Sequence, residues 1–240
     1  MTDLADIWVY LSASPLLGLS ITLVAYLSGD WIYRRAGMHP LLNPVLLAVA
    51  ALTVFLIATD MPYATYFEGA QFVHFLLGPA TVALAVPLYF NLAKLRRMWL
   101  PLLGGLVAGS LTAIVSVVGI ARLLGGTTQT LLSLAPKSVT TPVAMGIADK
   151  LGGLPSLTAI LVIATGILGA ALGPLVLNGL RVRDPATRGF AMGVTAHGIG
   201  TARAFQESEQ AGAFSGLAMG LNALLTALLL PLLVGLMVSI

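Results

Sequence analysis

A lysine flanked by hydroxyls, in the set Lys137, Ser138, Thr140 and Thr141, occupies one segment of the chain. A second segment holds His197, Gly198, Gly200, Thr201 and Arg203 at an offset of 60 residues from the lysine to the histidine. The first set offers one cation and three hydroxyl donors, the groups that hold a carboxylate by charge-assisted hydrogen bonds. In the second, the histidine can donate to an anion and take up a proton near neutral pH. The arginine can clamp a carboxylate bidentately, and the glycines let backbone N–H groups approach a bound anion. Each residue also has a structural reading. Lys137 could pair with Asp149 or with backbone carbonyls, His197 could be a packed core histidine, and Arg203 could extend its head to the membrane surface. Asp149 and Lys150 read as the outer end of their segment and His74 as a core residue, so none of the three joins the set.

The elements that must position these groups are apolar. Of 240 residues, 58% are apolar and 9% charged, against about 25% charged in soluble domains. The mean hydropathy is +0.97. An ordinary soluble enzyme is excluded. Twelve basic and nine acidic residues leave a formal charge of +3, with no Lys/Arg run that makes a nucleic-acid surface. The basic excess reads as membrane topology instead. Cysteine is absent, which removes disulfides, cysteine-ligated zinc and a thiol nucleophile. The N-terminal Met1-Thr2-Asp3-Leu4-Ala5-Asp6 has two acids and no base, so it does not read as a cleavable signal peptide. The first apolar segment is expected to remain in the mature protein.

About 20 apolar residues span a bilayer as a helix. Residues 16–33, 41–59, 71–92, 99–121, 154–177 and 213–239 qualify as six transmembrane helices. Residues 127–149 and 189–206 are of helix length but rich in Ser, Thr, Gly, Pro and isolated charges, so they cannot face lipid throughout. The basic clusters Arg34-Arg35, Lys94 with Arg96 and Arg97, and Arg181 with Arg183 and Arg188 belong on the cytoplasmic side. The acidic connection 60–69 and the N-terminus then lie outside. A full crossing by 127–149 would deliver Arg181, Arg183 and Arg188 to the wrong side, so that segment reads as a re-entrant hairpin. Residues 189–206 read as a second. The alternative is two broken full crossings, giving eight spans with one basic loop misplaced. The expected class is an all-α polytopic membrane protein, a single transmembrane domain over residues 1–240.

The two polar segments also align without gaps. Ala135-Pro136-Lys137-Ser138-Val139-Thr140-Thr141-Pro142-Val143-Ala144 falls on Thr195-Ala196-His197-Gly198-Ile199-Gly200-Thr201-Ala202-Arg203-Ala204, with Lys137 on His197. The helices that follow carry Pro174 and Pro231 at an offset of 57. One span plus one hairpin has an odd number of crossings, so consecutive copies must be inverted. The repeats run over 99–150 and 154–210, with a final helix over 213–239. Transporters built this way place the substrate where discontinuous helices from the two halves meet. Chance repetition of small residues and proline is the competing explanation. Gly78-Pro79-Ala80-Thr81-Val82-Ala83, before Pro87, is a weaker echo that is either another helix break or packing. Gly105 with Gly109, Gly169 with Gly173, and Gly216 with Gly220 are small-xxx-small spacings that serve helix packing. The stretch 198–203 ends in arginine and follows no strand, so it is no dinucleotide fingerprint.

These two motifs, together with Phe75-Leu76-Leu77-Gly78-Pro79-Ala80-Thr81-Val82-Ala83-Leu84-Ala85-Val86-Pro87-Leu88-Tyr89, strongly resemble the LrgB/CidB family of bacterial inner-membrane proteins over essentially the full length. The resemblance implies a multi-pass protein of the bacterial inner (plasma) membrane. It also implies a small LrgA/CidA-type membrane protein as partner. The family was first described as holin- or antiholin-like, modulating murein hydrolases and lysis. A similar plant plastid-envelope half is a glycolate/glycerate translocator, and some bacterial relatives are tied to pyruvate uptake.

Two functions follow as expectations. The first is a secondary transporter of small monocarboxylates of the glycolate, glycerate, pyruvate or lactate type. Its binding residues are Lys137, Ser138, Thr140, Thr141, His197, Gly198, Gly200, Thr201 and Arg203, and it uses no cofactor or metal. A proton at His197 or sodium on unwound carbonyls could couple the movement. The alternative is a holin- or antiholin-like modulator of murein hydrolase activity and lysis that assembles as an oligomer. An intramembrane enzyme lacks a convincing nucleophile and base.

Overall fold

In the computed structural model, residues 15–38, 42–83 and 85–238 are described. The N-terminal hexapeptide, the span ends Leu41 and Ser239, motif residue Leu84 and the side chain of His74 lie outside that set. Every regular element among the described residues is helical: α1 (Pro15–Arg35), α2 (Pro44–Ala58), α3 (Tyr63–Phe75), α4 (Leu77–Ala83), α5 (Ala85–Phe90), α6 (Leu92–Leu123), α7 (Thr128–Leu134), α8 (Thr141–Leu151), α9 (Pro155–Gly179), α10 (Pro185–Glu207) and α11 (Glu209–Val238). Five stretches are long and apolar enough to cross a membrane, namely Leu16–Arg35, Tyr63–Phe90, Leu92–Leu123, Pro155–Gly179 and Glu209–Leu233. The sixth expected span, Pro44–Ala58, has 15 residues. At 1.5 Å per residue it is about 22 Å long, short of the hydrocarbon core unless the ends are stretched by their flanks. The protein is an all-α polytopic membrane protein.

The chain divides into two compact units, Met1–Ala83 and Leu84–Ile240. In the first unit, α1 packs on α2 and α3. The Thr22 hydroxyl lies 2.8 Å from the Tyr66 hydroxyl and also donates to the Gly18 carbonyl. Asn43 caps α2, its Oδ1 accepting from Val45 N at 2.9 Å. The stretch Tyr63–Phe90 is not one smooth helix. Its regular elements stop at Phe75 and restart at Leu77, beside Gly78-Pro79, where proline removes a backbone donor.

The second unit holds both polar segments. Residues 92–97, expected as a basic loop, are instead the first turns of α6, and Lys94 pairs there with Asp184. Lysine and arginine are good helix formers whose long stems let the charge reach the surface from within a helix. Helix α9 is 25 residues, about 37 Å, and serves as a ruler for what surrounds it.

Both polar segments double back. Thr127 caps α7 with a side-chain bond from Thr130 N. After α7 the chain turns through residues 135–140 and returns as α8. Val139 and Ala144 then share a buried cluster with Val162, seven residues into α9. Leu132 and Ala135 pack in a cluster that Ile147 and Leu151 flank. At the base, Ser133 Oγ accepts from Leu154 N at 2.8 Å, and Thr158 Oγ1 donates to Ser133 O at 3.0 Å.

Helix α10 is likewise two antiparallel arms, 185–196 and 198–207, reversed at His197 with φ 43° and ψ −131°. Arg188 and Glu207 pair across the base, Nε to Oε2 at 2.7 Å and Nη2 to Oε1 at 3.0 Å. Met192, Ala204 and Ala211 are buried together halfway up. The first arm runs against α11 so closely that a Cβ on Gly189 would sit 1.9 Å from the Ala211 carbonyl oxygen, which only glycine permits. The expected hairpins are therefore present, and the broken-crossing alternative is not the arrangement adopted.

Candidate functional site

The hairpin bases lie toward opposite ends of α9, and their tips meet against its middle. Hairpin one is anchored at Leu154 and Thr158, whereas hairpin two is anchored at the other end, where Arg188 Nη1 donates to Asn178 Oδ1 at 2.8 Å and to Val182 O at 2.9 Å. Between them the Val162 carbonyl, 3.0 Å from His197 Nε2, sits beside the Val139 tip. The two hairpins therefore approach α9 from opposite ends. Pro174 and Pro231 both sit inside their helices, α9 and α11.

One buried amide ties the two tips together. Asn222 of α11, 1% exposed, donates from Nδ2 to Ser138 O at 3.1 Å and to Val194 O at 3.0 Å. Its Oδ1 accepts from Ser110 Oγ of α6. Both donors and the acceptor are satisfied, so a polar side chain in the middle of an apolar helix carries little desolvation cost. Spacing among the polar motifs did not reveal it. The signal available was a lone asparagine inside the apolar run 213–239, since such a group needs partners in a membrane.

Lys137 lies at tip one, partly buried, and its Nζ donates to Ser138 Oγ at 3.2 Å. Among the described residues no carboxylate forms an ion pair with it, so Asp149 does not neutralise it. The lysine borders a cavity of about 510 Å³ between α9 and the first arm of α10. Thr165 and Thr195 share that lining with it. The remaining wall is apolar, with Leu168, Leu172, Val176, Leu177 and Met192.

The other expected residues are distributed around this point rather than gathered in it. Ser138 is buried, with its carbonyl on Asn222. Thr140 is the N-cap of α8 without a side-chain capping bond, and Thr141 is the first residue of that helix. His197 and Thr201 are buried, and the Thr201 hydroxyl donates to His197 O and lies 2.9 Å from Ser215 Oγ. Gly198 is exposed and Gly200 buried. Arg203 lies along the second arm, donating to Gln206 Oε1 at 3.0 Å. None of these eight lines the cavity that Lys137 borders.

Two half-helices start at the tips, α8 after Thr140 and the second arm of α10 after His197. The positive ends of their peptide dipoles add to the lysine charge. The chemistry on offer is anion binding, from a cation, hydroxyl donors and helix N-termini inside an apolar shell.

At the base of hairpin two, Asp184 is the N-cap of α10, accepting from Thr187 N and Thr187 Oγ1 at 2.9 Å each. Partial burial pushes its carboxyl up, but the hydrogen bonds from Lys94 and Thr187 and the Lys94 charge outweigh this and hold it below its ordinary 3.8. Lys94 also reaches Gln210 Oε1 at 3.3 Å, and Gln210 donates to Asn91 Oδ1 at 2.8 Å.

Comparison with known proteins identifies a family. Residues 22–236 match the LrgB-like family. The chain is 36% identical to the uncharacterized protein YwbG of Bacillus subtilis, across 87% of this chain and 92% of that one. It is 39% identical to YxaC of the same organism, across 85% and 88%. It is 32% identical to the antiholin-like protein LrgB of Bacillus mycoides, across 86% and 90%. No solved structure matches the chain. With the family matched over most of its length, the chain is a multi-pass membrane protein that belongs to the LrgB-like family.

Proposed function

We propose that the protein is a secondary transporter of small monocarboxylates in the bacterial inner membrane, working by alternating exposure of a site where two opposed hairpin tips meet. The observation that carries this reading is Lys137. An ionisable group at mid-depth costs about 2.5–3.5 kcal/mol on insertion scales and commonly marks a pathway. Here it sits at the tip of a doubled-back segment, beside a cavity, with no carboxylate paired to it among the described residues. A substrate carboxylate supplies the missing charge. Thr165 and Thr195 offer hydroxyls on the same lining, and Asn222 holds the tips in register. His197, held on the Val162 carbonyl, positions the second tip. Proton or sodium coupling and a small LrgA/CidA-type partner belong to this proposal. With the basic ends of the helices cytoplasmic, the N-terminus is outside.

A second reading draws on the name of relatives such as the Bacillus mycoides protein, antiholin-like protein LrgB. On that reading the chain modulates murein hydrolase activity and lysis through assembly in the membrane. The two are separated by counterflow of labelled glycolate, glycerate, pyruvate and lactate into proteoliposomes, with and without the partner, and sucrose as leak control. Saturable exchange without sucrose leak is the carrier result. Sucrose passing with every acid, or no exchange from folded protein, favours the lysis modulator.

A further inference from the structure

The shape and lining of the Lys137 cavity bear on which carboxylates it takes, a question that rests on the carrier reading above. From Thr165 to Val176 the lining follows α9 for about 16 Å at 1.5 Å per residue. The polar groups stand at one end of that length, where Lys137, Thr165 and Thr195 meet. Beyond them the wall is Leu168, Leu172, Val176 and Met192, with no side-chain hydroxyl or amide. Leu168, Leu172 and Val176 are 57%, 51% and 56% exposed, so on this membrane-spanning helix no described side chain covers them and a ligand tail or a lipid chain can lie against them. The carboxylate of a two- or three-carbon acid fills only the polar end. A hydroxyl placed further along exchanges its water partners for aliphatic wall and gains nothing in return. A methylene placed there is removed from water, which tightens binding by about fourfold.

The far end of the groove points to the same class of ligand. Leu177 is followed by Asn178, which with Arg181, Arg183 and Arg188 borders a second, smaller cavity of about 280 Å³. Arg188 is paired with Glu207, and the exposed Arg181 and Arg183 at that end raise the local concentration of anions. An occupant that is anionic at the head and apolar along its length matches the charge at the tip and the wall behind it.

We infer that the site prefers monocarboxylates bearing a hydrocarbon tail of about four to eight carbons over short hydroxylated acids. The test uses proteoliposomes containing the full chain, with exchange of labelled lactate measured against competing acetate, propionate, butyrate, hexanoate, octanoate, glycolate and glycerate. Each added methylene is expected to lower the inhibition constant by up to about fourfold, and glycerate to compete less well than butyrate. Membrane partition of longer acids is separated by Leu172→Ser and Val176→Thr, two replacements on the exposed wall away from the polar end. Both should flatten the dependence on tail length, read within each variant as the ratio of the octanoate to the acetate inhibition constant. Glycerate competing better than butyrate, or the same slope in wild type and both variants, overturns the inference and leaves the carrier reading standing. A groove filled by a lipid chain gives that second result. Absence of exchange with every acid, from protein shown to be folded, removes the carrier reading and this inference together.

Discussion

The tips of the two hairpins carry Lys137 and His197, which align at an offset of 60 residues, and use these ionisable side chains differently. Hairpin one turns through residues 135–140 and leaves Lys137 beside a cavity with a single serine hydroxyl for company. Hairpin two turns on one residue, and the ring of that residue, His197, is buried against the Val162 carbonyl. A non-glycine residue at φ 43° costs of order 1–3 kcal/mol unless its surroundings hold it there. The buried hydrogen bond and the Asn222 bridge do so. The two aligned positions thus differ in their surroundings, Lys137 bordering a cavity and His197 reversing the backbone. The bases differ as well, with a bidentate ion pair under hairpin two and a serine hydroxyl under hairpin one.

Substitutions at five residues probe this contrast. The largest effect is expected at the base of hairpin two. Glu207→Ala leaves the largely buried Arg188 guanidinium without its carboxylate, at a cost of about 3 kcal/mol read as a lower unfolding midpoint in detergent. An unchanged midpoint would mean the base needs no ion pair. Lys137→Met should lower kcat/KM for carboxylate exchange by about 100-fold, since a charged hydrogen-bonding partner of a buried anion is removed. The unfolding midpoint should hardly move, because the lysine supports nothing else. His197→Ala should show the opposite pattern, a stability loss of about 2 kcal/mol from strain and the lost ring bond. His197→Gly should recover the backbone share of it, and equal losses in the two variants would show that strain is not stored there.

Smaller effects separate the other base. Ser133→Ala should cost about 1 kcal/mol, because the Leu154 N–H loses its acceptor. Comparison with Glu207→Ala ranks the two anchors. Finally, the depressed Asp184 pKa means that the unfolded chain binds that proton more tightly than the folded one. Its contribution is complete above the ordinary 3.8 and is lost as pH falls through the lower folded-state value. Asp184→Asn, which keeps a capping side chain, should therefore flatten the stability profile in that acid range alone. A parallel fall in both proteins would assign the acid sensitivity to other groups.

Much of this architecture was readable from composition and pattern. The apolar runs located α9 and α11 within a few residues because a bilayer imposes a length and excludes charge. The first hairpin was readable from charge sidedness, since a full crossing by 127–149 misplaces Arg181, Arg183 and Arg188, whereas Glu207 and Glu209 are too weak as topological signals to decide the second. The alignment of Lys137 on His197 located both turns. What it could not express is which polar groups face a cavity and which face each other. Thr201 and Gly200 share a motif with His197, but one is spent on Ser215 and the other is packed inside the hairpin. Thr165 lies in the apolar middle of α9, and Thr195 reaches the cavity only because the first arm of α10 runs along α9. Such juxtapositions depend on helix rotation, which periodicity determines poorly when nearly every face is apolar. The same blindness hid Arg188 with Glu207, whose 19-residue separation carries meaning only once the segment has doubled back.

The central claim, that Lys137 at the meeting of two hairpin tips holds a carboxylate, is open to a direct measurement. The chain has no cysteine, so Thr195→Cys places a single thiol on the cavity lining. Its rate of labelling by a small hydrophilic maleimide is measured with and without saturating carboxylate, in the presence of Lys137 and in Lys137→Met. The account predicts that carboxylate slows labelling several-fold when Lys137 is present and has no effect in Lys137→Met. Labelling that ignores carboxylate, or protection that survives the loss of Lys137, would contradict it.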